Sequence, residues 1–275
     1  MYTIPNSSVA YFVAMAIVGI LVPIIISLVY VKVKKEKITT VLIGALTFFL
    51  FAIVLESIPK AVLMQIPSPV SRFVMGNPWV LIITGALLAG IFEETGRLVA
   101  FKFMLKNRNE RTTATAYGIG HGLFEVMFIL GYSAIQYLSY ISLIKAGTFE
   151  TVINQVAMVS PDQAAALSAL PAQIAAVTWL NFVLAIVERT SAVLFHIGAS
   201  FIVFYAVKTP KKGIFYLVAV LLHAALDTFA GLLTVGVISN IFVLEALLMV
   251  FSIAVFCLGY FKFFKQVKAV EVETE

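Results

Sequence analysis

The stretch IFEETGRLVAF, Ile91 to Phe101, sets two adjacent carboxylates and a guanidinium in a run that is otherwise largely apolar. Each such group costs about 2.5–3.5 kcal/mol at the centre of a membrane helix. A chain that keeps Glu93, Glu94 and Arg97 there must compensate for them or use them. Deciding between those options first requires knowing what surrounds the run.

The surroundings are those of a membrane protein. The chain has 275 residues, 61% hydrophobic and only 12% charged, against about 25% charged in soluble domains. Seven stretches reach the roughly 20 apolar residues that cross a bilayer: 9–31, 38–57, 79–101, 112–144, 172–207, 213–236 and 239–261. The runs are continuous rather than alternating, so helices, not barrel strands, are the spanning elements. The expected fold is an all-α polytopic bundle forming a single integral-membrane domain over 1–275, with its core on segments three to six, about 79–236.

The cations orient it. Lys32, Lys34, Lys35 and Lys37 follow the first segment, and Lys102, Lys106, Arg108 and Arg111 the third. Lys208, Lys211 and Lys212 follow the fifth, and Lys262, Lys265 and Lys268 the seventh. These clusters hold 14 of the 19 lysines and arginines. The opposite loops carry Lys60, Arg72 and Lys145, and the positive-inside rule gives an N-outside, C-inside topology. No cation precedes the first apolar run, which is also too long for a signal-peptide core, so it reads as a retained first helix. The net charge of +5 is explained by these clusters and does not indicate nucleic acid. The single Cys257 excludes an internal disulfide framework and a cysteine-rich zinc site.

Local signals refine the outline. Pro59, Pro67, Pro69 and Pro78 predict an irregular outside connection over 58–78. DQAAALSAL, Asp162 to Leu170, predicts a short interfacial helix. Segment 172–207 would span about 54 Å as one straight helix, so it must tilt, break or begin outside the membrane. The end EVETE reads as a solvated tail.

Ionisable residues inside spans are functional candidates by default. Counted from the nearest cytoplasmic cation, Glu93, Glu94, His121, His196 and His223 all lie roughly 12–18 Å deep. Four helices thus present carboxylate or imidazole at one level, which hydropathy does not require. Glu56 and Glu245 fall near outer helix ends and read as interfacial charges. Glu188 and Arg189 fall in the outer half of the fifth segment, with partners across the bundle a possibility. Helical spacing pairs Glu93 with Arg97, His121 with Glu125, and His223 with Asp227, while Glu94 stands three residues from Arg97. Glu93 and Glu94 point about 100° apart, so one faces a cavity while Arg97 holds the other. Gly118, Gly120 and Gly122 around His121 allow a helix or a substrate backbone to approach closely.

A glutamate beside imidazoles in a half-dry cavity suits general-base activation of water. His223 with Asp227 suits stabilisation of an oxyanion, the carboxylate fixing the imidazole tautomer. Other protease chemistries lack their residues: there is no HExxH and only one membrane aspartate. Zn²⁺ held by His121, His196 and His223 is a secondary option.

EETGR (Glu93–Arg97), YGIGH (Tyr117–His121) and HAALD (His223–Asp227) together resemble the three motifs of the glutamic-type intramembrane proteases. That group comprises the CAAX-prenyl-protease and bacteriocin-processing superfamily and the PrsW-like proteases. Length and layout are most similar to the YhfC-like bacterial membrane proteins. The resemblance implies a multi-pass protein of the bacterial inner membrane that hydrolyses a membrane-associated peptide or protein without a cofactor. It implies Glu93 as base assisted by His121, with His223 and Asp227 at the oxyanion positions. The family pattern has one more residue between the double glutamate and the arginine, which leaves Glu93 and Glu94 open as the base. His196 has no counterpart there. The competing class is a transporter or bacteriocin-tolerance protein using the same buried residues as a proton relay.

Overall fold

The computed structural model describes residues 3–108, 110–210 and 212–263. Lys211, Lys265, Lys268 and the EVETE tail lie outside the described residues. Within them every regular element is helical. Seven helices are long and apolar enough to cross a membrane: α1 (Asn6–Lys34), α2 (Ile38–Gln65), α4 (Pro78–Met104), α5 (Arg111–Lys145), α8 (Trp179–Lys208), α9 (Lys212–Gly231) and α10 (Ile241–Phe263). Three shorter helices join them: α3 (Pro69–Gly76), α6 (Phe149–Ala157) and α7 (Pro161–Ala175).

The proline-rich connection is not irregular as expected. α2 runs on through Pro59 because π-helical stretches at Phe49–Leu55 and Ala61–Gln65 bracket one α-turn, Ser57–Lys60. Pro59 falls early in that turn, where its missing N–H is tolerated. Pro69 and Pro78 each open a helix, behind the caps Ser68 and Asn77. Ser68 Oγ accepts from Ser71 N at 3.0 Å, and Asn77 Oδ1 from Trp79 N at 3.0 Å. Proline at the first helical position costs nothing in hydrogen bonds. The long segment 172–207 breaks. α7, which contains DQAAALSAL, ends at Ala175, and α8 begins behind Thr178, whose N–H donates to Asn181 Oδ1 at 2.9 Å.

The chain forms two compact units. The first combines the chain up to Ile25 with Val126–Ile186. In it Tyr11 packs edge-on against Phe12, which stacks on Tyr137 at 4.8 Å between centroids. α6 and α7 pack on each other as a hairpin whose turn leaves Met158 and Val159 over four-fifths exposed.

The second unit combines Ile26–Glu125 with the chain from Val187. Its centre is α8, buried almost without interruption from Ser191 to Ala206, as expected of a helix that is apolar all round. α4 and α9 touch backbone to backbone: a Cβ on Gly90 would stand 2.7 Å from Val220 O. Gly118, Gly120 and Gly122 serve helix packing, against Ile197, Val41 and Val193 respectively. Glu56 and Glu245 are not solvated end charges. Both are buried, Glu56 paired with Lys60 at 2.5 Å, because the π-helical turns of α2 rotate Glu56 inward.

A candidate metal centre on four helices of the second unit

α4 brings the two neighbouring glutamates to different tasks. Glu94 and Arg97, one helical turn apart, are wholly buried and form a two-point ion pair: Nε to Oε2 at 2.9 Å and Nη2 to Oε1 at 3.2 Å. The i,i+4 pairing of Arg97 with Glu93 does not form. The guanidinium fork reaches Glu94 with two nitrogens, and i,i+3 places that carboxylate in its plane. Glu93 is left to face α5, where its Oε2 lies 2.9 Å from His121 Nε2. The rotation of about 100° per residue thus divides the pair into a charge anchor and an inward ligand.

The remaining donors of Arg97 cross to α8. Nη1 donates to His196 O at 2.8 Å and to Ser200 Oγ at 2.5 Å, and Nη2 lies 3.1 Å from His196 Nδ1. Arginine only donates, so Nδ1 is an acceptor, and the imidazole proton sits on Nε2. That Nε2 meets Glu125 Oε2 at 2.6 Å. Glu125 is therefore the partner of His196, not of His121, because Arg189 on α8 draws it across at 2.5 Å. Arg189 also holds Glu188 at 2.6 Å, completing a part-buried ion-pair chain.

His223 on α9 is oriented by Glu94, whose Oε1 accepts from Nδ1 at 2.8 Å. The expected tautomer-fixing contact from Asp227 is absent. Asp227 Oδ2 stands 3.9 Å from Nε2, with its side chain 37% exposed. With Nδ1 protonated, Nε2 offers its lone pair toward Glu93, 3.7 Å away. His121, by contrast, has one buried ring nitrogen, Nδ1, without a partner. The rings of His121 and His196 stand 4.6 Å apart, and those of His196 and His223 5.4 Å.

One donor each from Glu93, His196 and His223 lies within 4.8 Å of the others. This replaces the set of three histidines as the metal-binding option, since His121 is turned onto Glu93 as a hydrogen-bond partner. The residues fit a zinc-class ion. One oxygen and two nitrogens match its usual donors, which surround it at about 2.0–2.2 Å. Glu94 accepts from the outer nitrogen of His223, as carboxylates do around metal-bound histidines, and Arg97 holds Glu94 in place for it. His196 has both ring nitrogens engaged, so taking a cation means exchanging one of its two partners.

Seven of the eight residues singled out from sequence form one connected cluster: Glu93, Glu94, Arg97, His121, Glu125, His196 and His223. Asp227 stands at its edge. Ser200 joins it without having been singled out, and Arg189 joins it as one of the two outer charges for which a partner across the bundle was considered. Ser200 sits one turn from His196, a spacing that marks it in retrospect; the partner of Arg189 across the bundle is Glu125, 64 positions away in sequence, and no local pattern names it.

The model of a family described as "YhfC intramembrane metalloprotease" matches residues 18–248, which include the whole cluster. The chain belongs to the YhfC family. It is 32% identical over 237 residues to the "Uncharacterized membrane protein YhfC" of Bacillus subtilis (strain 168), covering 86% of this chain and 89% of that protein. No solved structure matches. Membership in the YhfC family and the seven apolar helices make this a multi-pass membrane protein. The family description names a metal-dependent protease, whereas the motif resemblance implied a glutamic, metal-free one.

Proposed function

We propose that the chain is an intramembrane metallopeptidase that hydrolyses a peptide bond of a membrane-associated peptide or protein, with Glu93, His196 and His223 as its metal ligands. The observation that carries this reading is the convergence of those three donors inside an otherwise apolar bundle. A bound divalent ion of the zinc class supplies Lewis acidity at the scissile carbonyl and makes water acidic enough to react near neutral pH.

The chain's own residues supply the rest. Glu94 keeps the His223 proton on Nδ1, and Arg97 keeps Nδ1 of His196 bare. His121 donates from Nε2 to Glu93 and holds an unused lone pair on Nδ1. We assign His121 Nδ1 to accept the proton of the attacking water and return it to the departing amide nitrogen. The Glu93 carboxylate stabilises the imidazolium in between, as carboxylates do in hydrolytic dyads. Asp227 stands part-exposed at the edge of the cluster beside His223.

A second reading is favoured by the 2.9 Å contact of Glu93 with His121: Glu93 itself is the base and no metal takes part. One experiment separates them. The purified full chain is assayed for bound metal and for cleavage of membrane peptides, before and after chelation. The metallopeptidase reading expects one metal equivalent, lost with activity on chelation and absent in Glu93→Gln and His223→Ala. Cleavage that survives chelation in metal-free protein selects the glutamic reading. Metal-replete wild type that cleaves nothing sinks both.

A further inference from the structure

At the end of the second unit that carries the lysine clusters, α4, α8 and α9 enclose a small cavity. It has a volume of about 180 Å³ and is lined by Leu98, Lys102, Val207, Lys212, Gly213 and Tyr216. The positive-inside pattern puts this end at the cytoplasmic leaflet. Lys102 and Lys212 stand exposed at its mouth, and no carboxylate is paired with either among the described residues. The Lys102 ammonium rests 5.1 Å from the centroid of the neighbouring Phe103 ring, a cation–π contact.

The cavity walls offer little else that is polar. Thr95 Oγ1 donates to Ile91 O at 2.5 Å, so Tyr216 Oη, 2.8 Å away, donates to Thr95 and has spent its proton. Tyr216 lines the cavity with its ring. Around α9 from the residues that line the cavity, Ile214, Leu217 and Leu221 are exposed at helical spacing and form one apolar stripe that starts at the level of the mouth and runs toward mid-membrane. The volume is below the roughly 300 Å³ at which small-molecule pockets begin, but it admits a phosphodiester.

Two ammonium groups at a leaflet surface, an apolar throat and an apolar stripe leading away from it match one kind of molecule. We infer that this cavity binds the headgroup of an anionic glycerophospholipid, its phosphodiester between Lys102 and Lys212 and its acyl chains along Ile214, Leu217 and Leu221. Basic pockets between membrane helices take anionic headgroups in this way. The site bridges the cytoplasmic ends of α4 and α9, the helices that carry Glu94 and His223. The lipid therefore acts as a clamp across the pair that orients the candidate metal centre, while its binding does not depend on that centre being catalytic.

The full chain is reconstituted in nanodiscs of phosphatidylcholine alone or mixed with phosphatidylglycerol, and lipid retention is read by native mass spectrometry alongside the melting temperature. Wild type is expected to retain phosphatidylglycerol in preference and to melt higher in its presence. A lysine at a charged membrane surface is worth roughly fivefold in affinity. Lys102→Ala and Lys212→Ala should each lower the preference by about that factor, and the double variant by about thirtyfold. Lys102→Arg/Lys212→Arg should keep it, which separates lost charge from lost folding. An unchanged preference in the double alanine variant overturns the proposal. A melting shift reproduced by soluble glycerol 3-phosphate also overturns it, by showing that the acyl chains take no part.

Discussion

Arg97 Nη2 lies 3.1 Å from His196 Nδ1, and since the guanidinium has no acceptor, this one distance sets which imidazole nitrogen can carry a proton. The same side chain anchors Glu94, which in turn sets the tautomer of His223. Two candidate ligands on different helices thus take their protonation pattern from a single buried cation.

Lysine cannot replace that cation. It presents one point charge where Arg97 makes five contacts, so Arg97→Lys should leave His196 free to change tautomer. Glu94, no longer held at two points, should orient His223 less well, and metal affinity should fall by about 10–100-fold, the usual cost of losing an outer partner of a metal ligand. Metal titration of the purified variant measures this. Wild-type affinity in Arg97→Lys would remove Arg97 from the role assigned to it.

Breaking the ion pair from one side should be worse than removing it. Arg97→Leu leaves Glu94 buried without a countercharge, at a cost of about 3–5 kcal/mol. Arg97→Leu/Glu94→Leu should recover part of that stability while still losing His223 orientation. Thermal unfolding in detergent of the single and double variants forms the cycle. A double variant less stable than Arg97→Leu contradicts the pairing.

The loop between α1 and α2 offers a titration outside the membrane. Burial pushes the Glu36 carboxyl up, but the hydroxyls of Thr112, Thr40 and Thr113 and the Lys37 amide outweigh it and hold the group below the ordinary carboxylate range. A depressed carboxylate stabilises fully above its unfolded pKa, and that contribution is lost as pH falls through the folded value. Wild type should therefore lose melting temperature on acidification where Glu36→Gln is flatter. Parallel acid limbs in the two proteins would show that the Glu36 clasp contributes nothing.

Gly90 should tolerate no side chain. A Cβ there meets Val220 O at 2.7 Å, and a backbone oxygen cannot swing aside. Gly90→Val should part α4 from α9, lowering both melting temperature and metal affinity, whereas Gly85→Val, on the same helix with only the tip of Met64 nearby, should do neither.

The number of spans and the level of the site were legible because both rest on regular rules: apolar length and rise per residue. Counting from the cytoplasmic cations brought Glu93, His121, His196 and His223 to one depth before any contact was known. The partners within that level were not legible. Spacing along one helix offered Glu93–Arg97, His121–Glu125 and His223–Asp227, yet the structure pairs Arg97 with Glu94, Glu125 with His196, and His223 with Glu94. Each expected pair lost to a partner better placed within the fold, two of them on another helix, and sequence spacing carries no information about rotation between helices. The proline-rich segment failed for a related reason: a π-helical turn absorbs a proline that would end an ordinary α-helix, and nothing in the residue pattern marks it.

The π-helical turn at Phe49–Leu55 also bears on how the chain tolerates a change in length. Such a turn accommodates one residue more than an α-helix of the same rise. Deleting a single residue there would restore a plain α-helix and leave Glu56 and Lys60 on the face they now occupy, because the residue removed is the one the wide turn had absorbed; a deletion in an unbroken α-helical stretch instead swings everything beyond it by about 100°. A one-residue deletion between Phe49 and Leu55 should therefore harm this protein less than one between Ser191 and Ala206 of α8, where no wide turn can absorb it.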